Sequence, residues 1–268
     1  MRSVAIINQK GGVGKTTTAV NLAAALADSG KRVCLIDLDP QAHASLHLGV
    51  SSEYEGPTVY DVLVEDAGLE DVRKQISTNL YLVPSHLDLA AAEVELAGEV
   101  GREVLLRDAI LADPDEFDFL LVDCPPSLGI LTLNALVGVN EVFLPLQPHF
   151  LALHGMSKLL GTVEVVAQRL NRNLRLTGVV VCMNEATTRL AGEVRSDAES
   201  FFTAVDDDRC PWFGAKIFDT TIRRNIRLAE APSFGESIFE YAPHCKGADD
   251  YRLLAEEILA TAPTQTVS

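Results

Sequence analysis

The chain has 268 residues, with 22 Lys plus Arg against 38 Asp plus Glu and a formal net charge of −16. At 47% hydrophobic and 22% charged residues the composition is globular, which excludes a disordered or collagen-like chain. The acidic balance favours solubility and disfavours indiscriminate adhesion to nucleic acid or anionic lipid, so any polyanion contact must come from a local basic patch.

No apolar run approaches the ~18 residues of a membrane-spanning helix. The first one, Val4 to Ile7, is too short for a secretory signal. A cytoplasmic protein is expected. Cys34, Cys124, Cys182, Cys210 and Cys245 lie far apart, with no close pair for zinc or a redox motif. Three of them border apolar runs and read as buried, reduced thiols.

In chain order, Val4 to Ile7 predicts a buried strand, and Thr16 to Ser29 a helix stopped by Gly30. Val33 to Ile36 and Leu80 to Val83 are the next strands. Ser85, with Asp88 three residues on, predicts a capped helix running to about Leu96. Phe117 to Val122 is a strand ending in Asp123, and Val142 to Leu146 and Gly178 to Cys182 are two more. Helices are expected over Leu151 to Leu170, Ala191 to Thr203 and Asp249 to Ala260. Trp212 and Phe213, beside Lys216, read as a buried strand rather than a base-stacking platform. Strands alternating with helices imply parallel βαβ units, and continuously apolar strands imply a sheet covered on both faces. The expected fold is α/β: a doubly wound, mostly parallel sheet with helices on both faces. One domain is expected over residues 1–260, followed by a flexible polar tail at 261–268.

The strongest chemical signal is Gln9-Lys10-Gly11-Gly12-Val13-Gly14-Lys15-Thr16-Thr17, between the first strand and the first helix. Glycines let backbone N–H groups curl around an anion, and the following helix adds its positive end. Gly11, Gly12, Val13, Gly14, Lys15, Thr16 and Thr17 are assigned to phosphate binding. Lys15 can reach the β- and γ-phosphates and the Thr16 hydroxyl can ligate Mg²⁺. Position 9, glycine in the usual loop, is Gln, and a second lysine, Lys10, stands beside two glycines. Asp123 ends a buried strand, where ligands bind in open α/β sheets, and Asp39 follows the second strand at the same edge.

Lys10 to Thr17 resembles the deviant Walker A motif of the ParA/MinD ATPases. Asp37-Leu38-Asp39-Pro40-Gln41 resembles the second signature of the ParA branch. Leu121 to Ser127 looks like that family's Walker B and switch region, and Arg224 to Ser233 like its C-terminal signature. The similarity runs in order from about residue 3 to 260 and is close to the chromosomal ParA (Soj) type, which has no N-terminal helix-turn-helix domain. The resemblance implies ATP and Mg²⁺ as cofactors. It implies that Asp123 holds the metal through a water and that Asp39 orients the attacking water. Asp37 would assist through Mg²⁺ or the switch. Lys10 would cross a dimer interface to the partner's nucleotide, so that ATP joins a sandwich homodimer. No lysine lies in the Asn/Thr-Lys-x-Asp element by which GTPases of this class read guanine, which again favours ATP. Asn184, after a strand, and Pro232 are candidates for the adenine.

Arg209, Lys216, Arg223, Arg224 and Arg227 crowd one stretch, and Arg189 and Arg195 are on or beside the preceding helix. In ParA/Soj proteins the C-terminal basic residues of the dimer bind DNA without sequence preference. Arg227 matches a family DNA-contact position and Arg224 the common Arg-Asn element, whose alternative role is at the nucleotide site. Arg223 stands where the family usually has Pro. Thr187 stands where some relatives have Arg, with Arg189 two residues later. The DNA-binding candidates are Arg189, Arg195, Arg223, Arg224 and Arg227; the alternative is salt-bridged surface arginine, with Asp219 and Glu230 nearby.

The function implied by the resemblance is an ATP-dependent DNA-segregation switch. Mg-ATP drives dimerisation and non-specific DNA binding on the nucleoid, and a ParB-like centromere-binding protein stimulates slow hydrolysis and release. One alternative is a ParA-like ATPase positioning another cargo. A MinD-like membrane switch needs a basic amphipathic C-terminal helix. Tyr251 to Leu259 carries two glutamates and one arginine, so no stable membrane association is expected. A redox relative of the nitrogenase iron protein type would need more cysteines near Cys124 for a shared four-cysteine cluster. His43 and His47, spaced i, i+4, give only two ligands, and no transition metal is assigned.

Overall fold

The computed structural model describes residues 1–148, 156–184 and 189–261, the side chains of 189–191 excepted. The strands are β1 (Arg2–Ile6), β2 (Val33–Asp37), β3 (Lys74–Gln75), β4 (Leu80–Val83), β5 (Phe119–Asp123), β6 (Glu141–Leu146), β7 (Arg175–Asn184), β8 (Lys216–Ile217) and β9 (Ile222–Arg223). They form one sheet of order β3-β4-β2-β5-β1-β6-β7-β8, with β9 also pairing with β7. Every pairing is parallel except β3 with β4. The helices are α1 (Lys15–Asp28), α2 (His43–His47), α3 (Val59–Val64), α4 (Leu69–Val72), α5 (Leu89–Glu95), α6 (Leu105–Ala112), α7 (Ile130–Gly138), α8 (Met156–Arg169), α9 (Arg189–Thr203), α10 (Ile226–Glu230), α11 (Ile238–Tyr241) and α12 (Lys246–Ala260).

The two-residue period of a strand sends alternate side chains to opposite faces. In β1, Val4 and Ile6 enter one apolar core with α1 and α12, while Ala5 and Ile7 enter a second core with α3 to α9. The central strands are therefore apolar on both faces through their middles, with polar residues such as Arg2, Asp37, Asp123 and Glu141 at their ends, and the doubly wound sheet expected from the sequence is the one observed. At the edge of the sheet where β1 begins, Arg2 makes a bidentate pair with Glu141 (2.6 and 2.9 Å) and donates to the Ile258 carbonyl (2.8 Å). These bonds join β1, β6 and α12.

Several boundaries differ from the sequence reading. Helix α12 starts at Lys246 rather than Asp249, and the Leu151 helix begins, among the described residues, at Met156. Phe117 precedes its strand and instead packs edge-on against Tyr81, ring centroids 5.5 Å apart. Trp212 and Phe213 lie in a turn, not a strand: the Phe213 N–H donates to the Cys210 carbonyl (2.9 Å) and the Phe213 ring is half-exposed. Ser85 caps no helix. Helix α5 begins at Leu89, and the Ser85 side chain turns toward the carboxyl edge of the sheet. Helix α7, Ile130 to Gly138, gives no amphipathic signal because it is apolar nearly all round and buried.

His47, at the end of α2, is 1% exposed and its Nε2 has no hydrogen-bond partner among the described residues. Burial pushes its pKa from 6.5 down to about 4. The unfolded chain takes up this proton near pH 6.5 and the folded chain does not, so the contribution to stability is full above that pH and lost as pH falls toward 4. A shift of this size is worth on the order of 3 kcal/mol. His47→Phe is expected to flatten the fall in melting temperature between pH 7 and pH 5; parallel wild-type and variant curves from calorimetry would contradict it.

Candidate nucleotide site

After β1 the chain curls through residues 8–14 into α1. Asn8 pins the curl: its Nδ2 donates to the Pro145 carbonyl (2.7 Å) and its Oδ1 accepts the Lys10 N–H (3.0 Å). Gly12 and Gly14 have φ of 73° and 94°, left-handed conformations that side chains disfavour. Gly14 is the N-cap of α1 and supplies no capping side chain, so the leading N–H groups of that 14-residue helix remain available to an anion. Lys15 is buried and its ammonium reaches the Lys10 carbonyl at 3.5 Å. Lys10 itself is exposed, with no carboxylate in ion-pair range among the described residues.

Across the crevice, strand register places Asp37 directly beside Asp123 at the carboxyl ends of β2 and β5. Their surroundings are opposite. Asp37 accepts the Asp39 N–H (3.2 Å), the Ser45 N–H (2.8 Å) and the Ser45 hydroxyl (2.7 Å). Asp123 is fully buried, and neither of its carboxylate oxygens has a hydrogen-bond partner among the described residues. Burial, outweighing those three bonds, raises the Asp37 pKa to about 6. Burial first and the Asp37 charge second raise Asp123 well above the usual carboxylate range, with Thr16 and Lys15 opposing. An unpaired buried carboxylate is costly, and a hard cation beside a hydroxyl such as that of Thr16 relieves it. Thr16, Asp123 and the neighbouring Asp37 thus fit a divalent ion.

Asp39 is 7% exposed, and its Oδ1 accepts the Gln41 N–H (2.9 Å). The loop then turns at Ala42, whose φ of 52° is left-handed without being glycine. The structure therefore gathers Lys15, Thr16, Asp37, Asp39 and Asp123 at one end of the sheet, with Gly11 to Gly14 and Thr17 around them. Asn8, Ser45 and Ser85 also belong to this neighbourhood. Sequence reading missed the first two and took Ser85 for a helix cap, because an isolated Asn or Ser carries no periodicity.

A cavity of about 490 Å³ opens beside the loop, between Gly14, Thr17, Met183 and Arg224. Met183 has a left-handed φ of 53°, and the next residue, Asn184, donates to the Thr221 hydroxyl (3.2 Å) while its buried Oδ1 has no partner among the described residues. Neither Asn184 nor Pro232 lines this cavity. Cys182 lies under Gly14; like Cys34 and Cys124 it is buried and free, and burial raises all three thiols.

Carboxylates occupy most of the basic patch. Arg223 is bound by buried Asp250, through its N–H (2.9 Å) and its guanidinium (2.5 to 3.0 Å). Arg195 pairs with Glu199 and Asp219, Arg209 with Asp207, and Arg227 with Glu230. Arg224 is also engaged. Arg189 belongs to α9, but its side chain and Thr187 lie outside the described residues.

The chain matches the family model described as an AAA domain over residues 1–176. It is 44% identical to sporulation initiation inhibitor protein Soj of Bacillus subtilis (strain 168), over 96% of this chain and 98% of that one. It is 45% identical to chromosome-partitioning ATPase Soj of Thermus thermophilus, over 97% and 96%. Among solved structures it resembles cobyrinic acid a,c-diamide synthase from Mycobacterium smegmatis with bound ATP analog and magnesium (31% identity, TM-score 0.81, all of both chains). It also resembles the Pyrococcus furiosus cell division ATPase MinD (27% identity, TM-score 0.74, 97% of this chain and 99% of that one). Sheet order, glycine-rich loop and sheet-edge carboxylates define a P-loop α/β protein of the ParA/MinD class. The chain belongs to the Soj/ParA family of chromosome-partitioning ATPases.

Removing the uncompensated charge tests the site without ligand. Asp123→Asn is expected to leave the nucleotide-free melting temperature at pH 7.5 equal to or above that of the wild type, and to abolish any gain on adding Mg²⁺ with nucleotide. A fall of several degrees in the nucleotide-free protein would contradict this.

Proposed function

We propose that the chain is an ATP-dependent DNA-segregation switch, and the observation that carries this reading is the division of labour between its two loop lysines. Lys15 lies buried inside the loop while Lys10 stands exposed at its lip. Two cations so close repel unless an anion lies between them or one serves another site, and a second protomer's triphosphate satisfies both conditions. Mg-ATP thereby joins two copies, each Lys10 entering the other's site.

Within one site, the N–H groups of residues 11–17 hold the phosphates and Lys15 neutralises the β- and γ-oxygens. Thr16 and Asp123 hold Mg²⁺, with Asp37 beside them. The metal supplies charge neutralisation on the phosphate oxygens. Asp39, at the open edge of the crevice, orients the attacking water. Asn184 Oδ1, unmatched among the described residues, is an acceptor of the kind that accepts an adenine amino group, and Pro232 is the second candidate for the base.

Arg227 is half-exposed and its partner Glu230 is three residues away on the same short helix, so its ion pair is weak and exchangeable for a phosphate. Arg195 is less exposed and shared between Glu199 and Asp219, both of them exposed carboxylates, and Arg189 adds a charge on the helix that carries Arg195. Arg223, committed to Asp250, contributes mainly by fixing β9 to α12, with Arg224 next to it. So few exchangeable arginines bind DNA weakly alone. Two protomers double the count, and affinity rises steeply with each phosphate neutralised. Hydrolysis, stimulated by a ParB-like centromere-binding partner, separates the protomers and releases the nucleoid. The membrane alternative is disfavoured because α12 buries its apolar face, Tyr251, Leu254, Ala255 and Ile258, in the domain core. Among the described residues no helix is long and apolar enough to cross a membrane.

DNA co-sedimentation tests the reading. Wild-type protein is expected to retain DNA with a non-hydrolysable ATP analogue and not with ADP, whereas equal retention would refute the switch. Lys15→Ala is expected to lose both dimer and DNA. Arg227→Ala is expected to dimerise yet bind DNA several-fold more weakly. Asp39→Ala is expected to hold DNA on ATP alone; rapid ATP turnover by that variant would remove Asp39 from its role.

A further inference from the structure

We propose that Ser85 is a positioning residue for Asp39, acting through a closed ring of hydrogen bonds that also fixes Asp37. Ser85 follows β4, which pairs with β2, so it faces the loop that carries Asp39. Its hydroxyl donates to the Asp39 carbonyl (2.8 Å) and its N–H donates to the Ser45 hydroxyl (2.9 Å). The Ser45 hydroxyl donates to Asp37 (2.7 Å), and Asp37 accepts the Asp39 N–H (3.2 Å), which closes the ring. Both serines are buried, 4% and 1% exposed, so water does not replace these bonds.

The ring is needed because the loop itself is poorly determined. Pro40 offers no N–H, and Ala42 holds a left-handed conformation that an alanine disfavours. Within the loop, the Ala42 N–H holds the Asp39 carbonyl (2.8 Å) and the Gln41 N–H holds its carboxylate (2.9 Å). Ser85 is the clamp from a different strand, and so ties Asp39 to the rigid sheet rather than to its own turn. Asp37 is set by the same ring, so the spacing between the water-orienting and metal-side carboxylates depends on Ser45 and Ser85 together. Catalysis by positioning is sensitive to shifts of about 1 Å. This inference rests on Asp39 orienting the attacking water.

The test measures steady-state ATP hydrolysis, affinity for a fluorescent ATP analogue and melting temperature in the full-length protein, for Ser85→Ala, Ser85→Thr and Asp39→Ala. Ser85→Ala is expected to lower kcat about three- to tenfold, the effect of one neutral hydrogen bond, with KM and analogue affinity within about twofold of wild type. Ser85→Thr, which keeps the hydroxyl, is expected to recover most of the rate. If Ser85→Ala fails to fold, Ser85→Cys, similar in volume and a weaker donor, is expected to show the same split. An unchanged kcat for Ser85→Ala beside an impaired Asp39→Ala overturns the positioning role alone. A loss shared equally by kcat and analogue affinity also overturns it, as general damage. Wild-type turnover by Asp39→Ala would instead overturn the underlying reading of Asp39.

Discussion

Two carboxylates, Asp37 and Asp123, stand shoulder to shoulder at the ends of adjacent parallel strands, both withdrawn from water. Strand register makes their proximity unavoidable, and burial makes it costly. Asp37 is compensated within the chain, by three donors from Ser45 and the Asp39 peptide. Asp123 has no hydrogen-bond partner among the described residues, and Thr16 and Lys15 offset its burial only in part. The fold thus carries a local deficit of positive charge at one point, within reach of the Thr16 side chain and facing an uncapped helix N-terminus that carries the opposite deficit. A metal nucleotide supplies the cation to one and the anion to the other. Nucleotide binding is therefore built into the electrostatics of the sheet edge rather than added to its surface.

The same accounting clarifies the outer charges. Among the described arginines of the basic patch, Arg195, Arg209, Arg223 and Arg227 each meet a carboxylate, but the pairs are unequal. Arg223 is held by an aspartate that is 5% exposed, whereas Arg227 and Glu230 form an exposed pair within one turn. Buried pairs are disrupted only at high cost, and exposed pairs exchange partners readily. In a chain of net charge −16, the proposed DNA contact through a few exchangeable arginines would be weak per copy and would be governed by whatever brings two copies together.

Much of this was legible in the sequence. The glycine-rich loop and the apolar strands are local signals, one of backbone freedom and the other of burial on both faces. The charges of Tyr251 to Leu259 likewise spoke against a membrane helix, and the helix packs Tyr251, Leu254, Ala255 and Ile258 into the core. Features that depend on three-dimensional closure were not legible. A serine such as Ser85 offers a hydroxyl to many neighbours, and only the pairing of β4 with β2 shows that it meets Asp39 rather than a helix N-terminus. The partner of Arg223 lies 27 residues away in sequence, so the basic patch looked freer than it is. Helix α7 was invisible because a fully apolar segment has no polar face to mark its period. Trp212 and Phe213 suggested a strand by composition, but occupy a turn that buries only part of their rings.

In the proposed switch ATP is a clasp between two copies, with Lys10 as the hand that crosses. Sedimentation velocity of the 29.0 kDa chain with Mg²⁺ and a non-hydrolysable ATP analogue, for wild type and Lys10→Ala, tests it most directly. The expected result is a dimer for wild type and a monomer for Lys10→Ala that still binds the analogue. A wild-type monomer at saturating analogue, or a Lys10→Ala dimer as stable as the wild type, would contradict it.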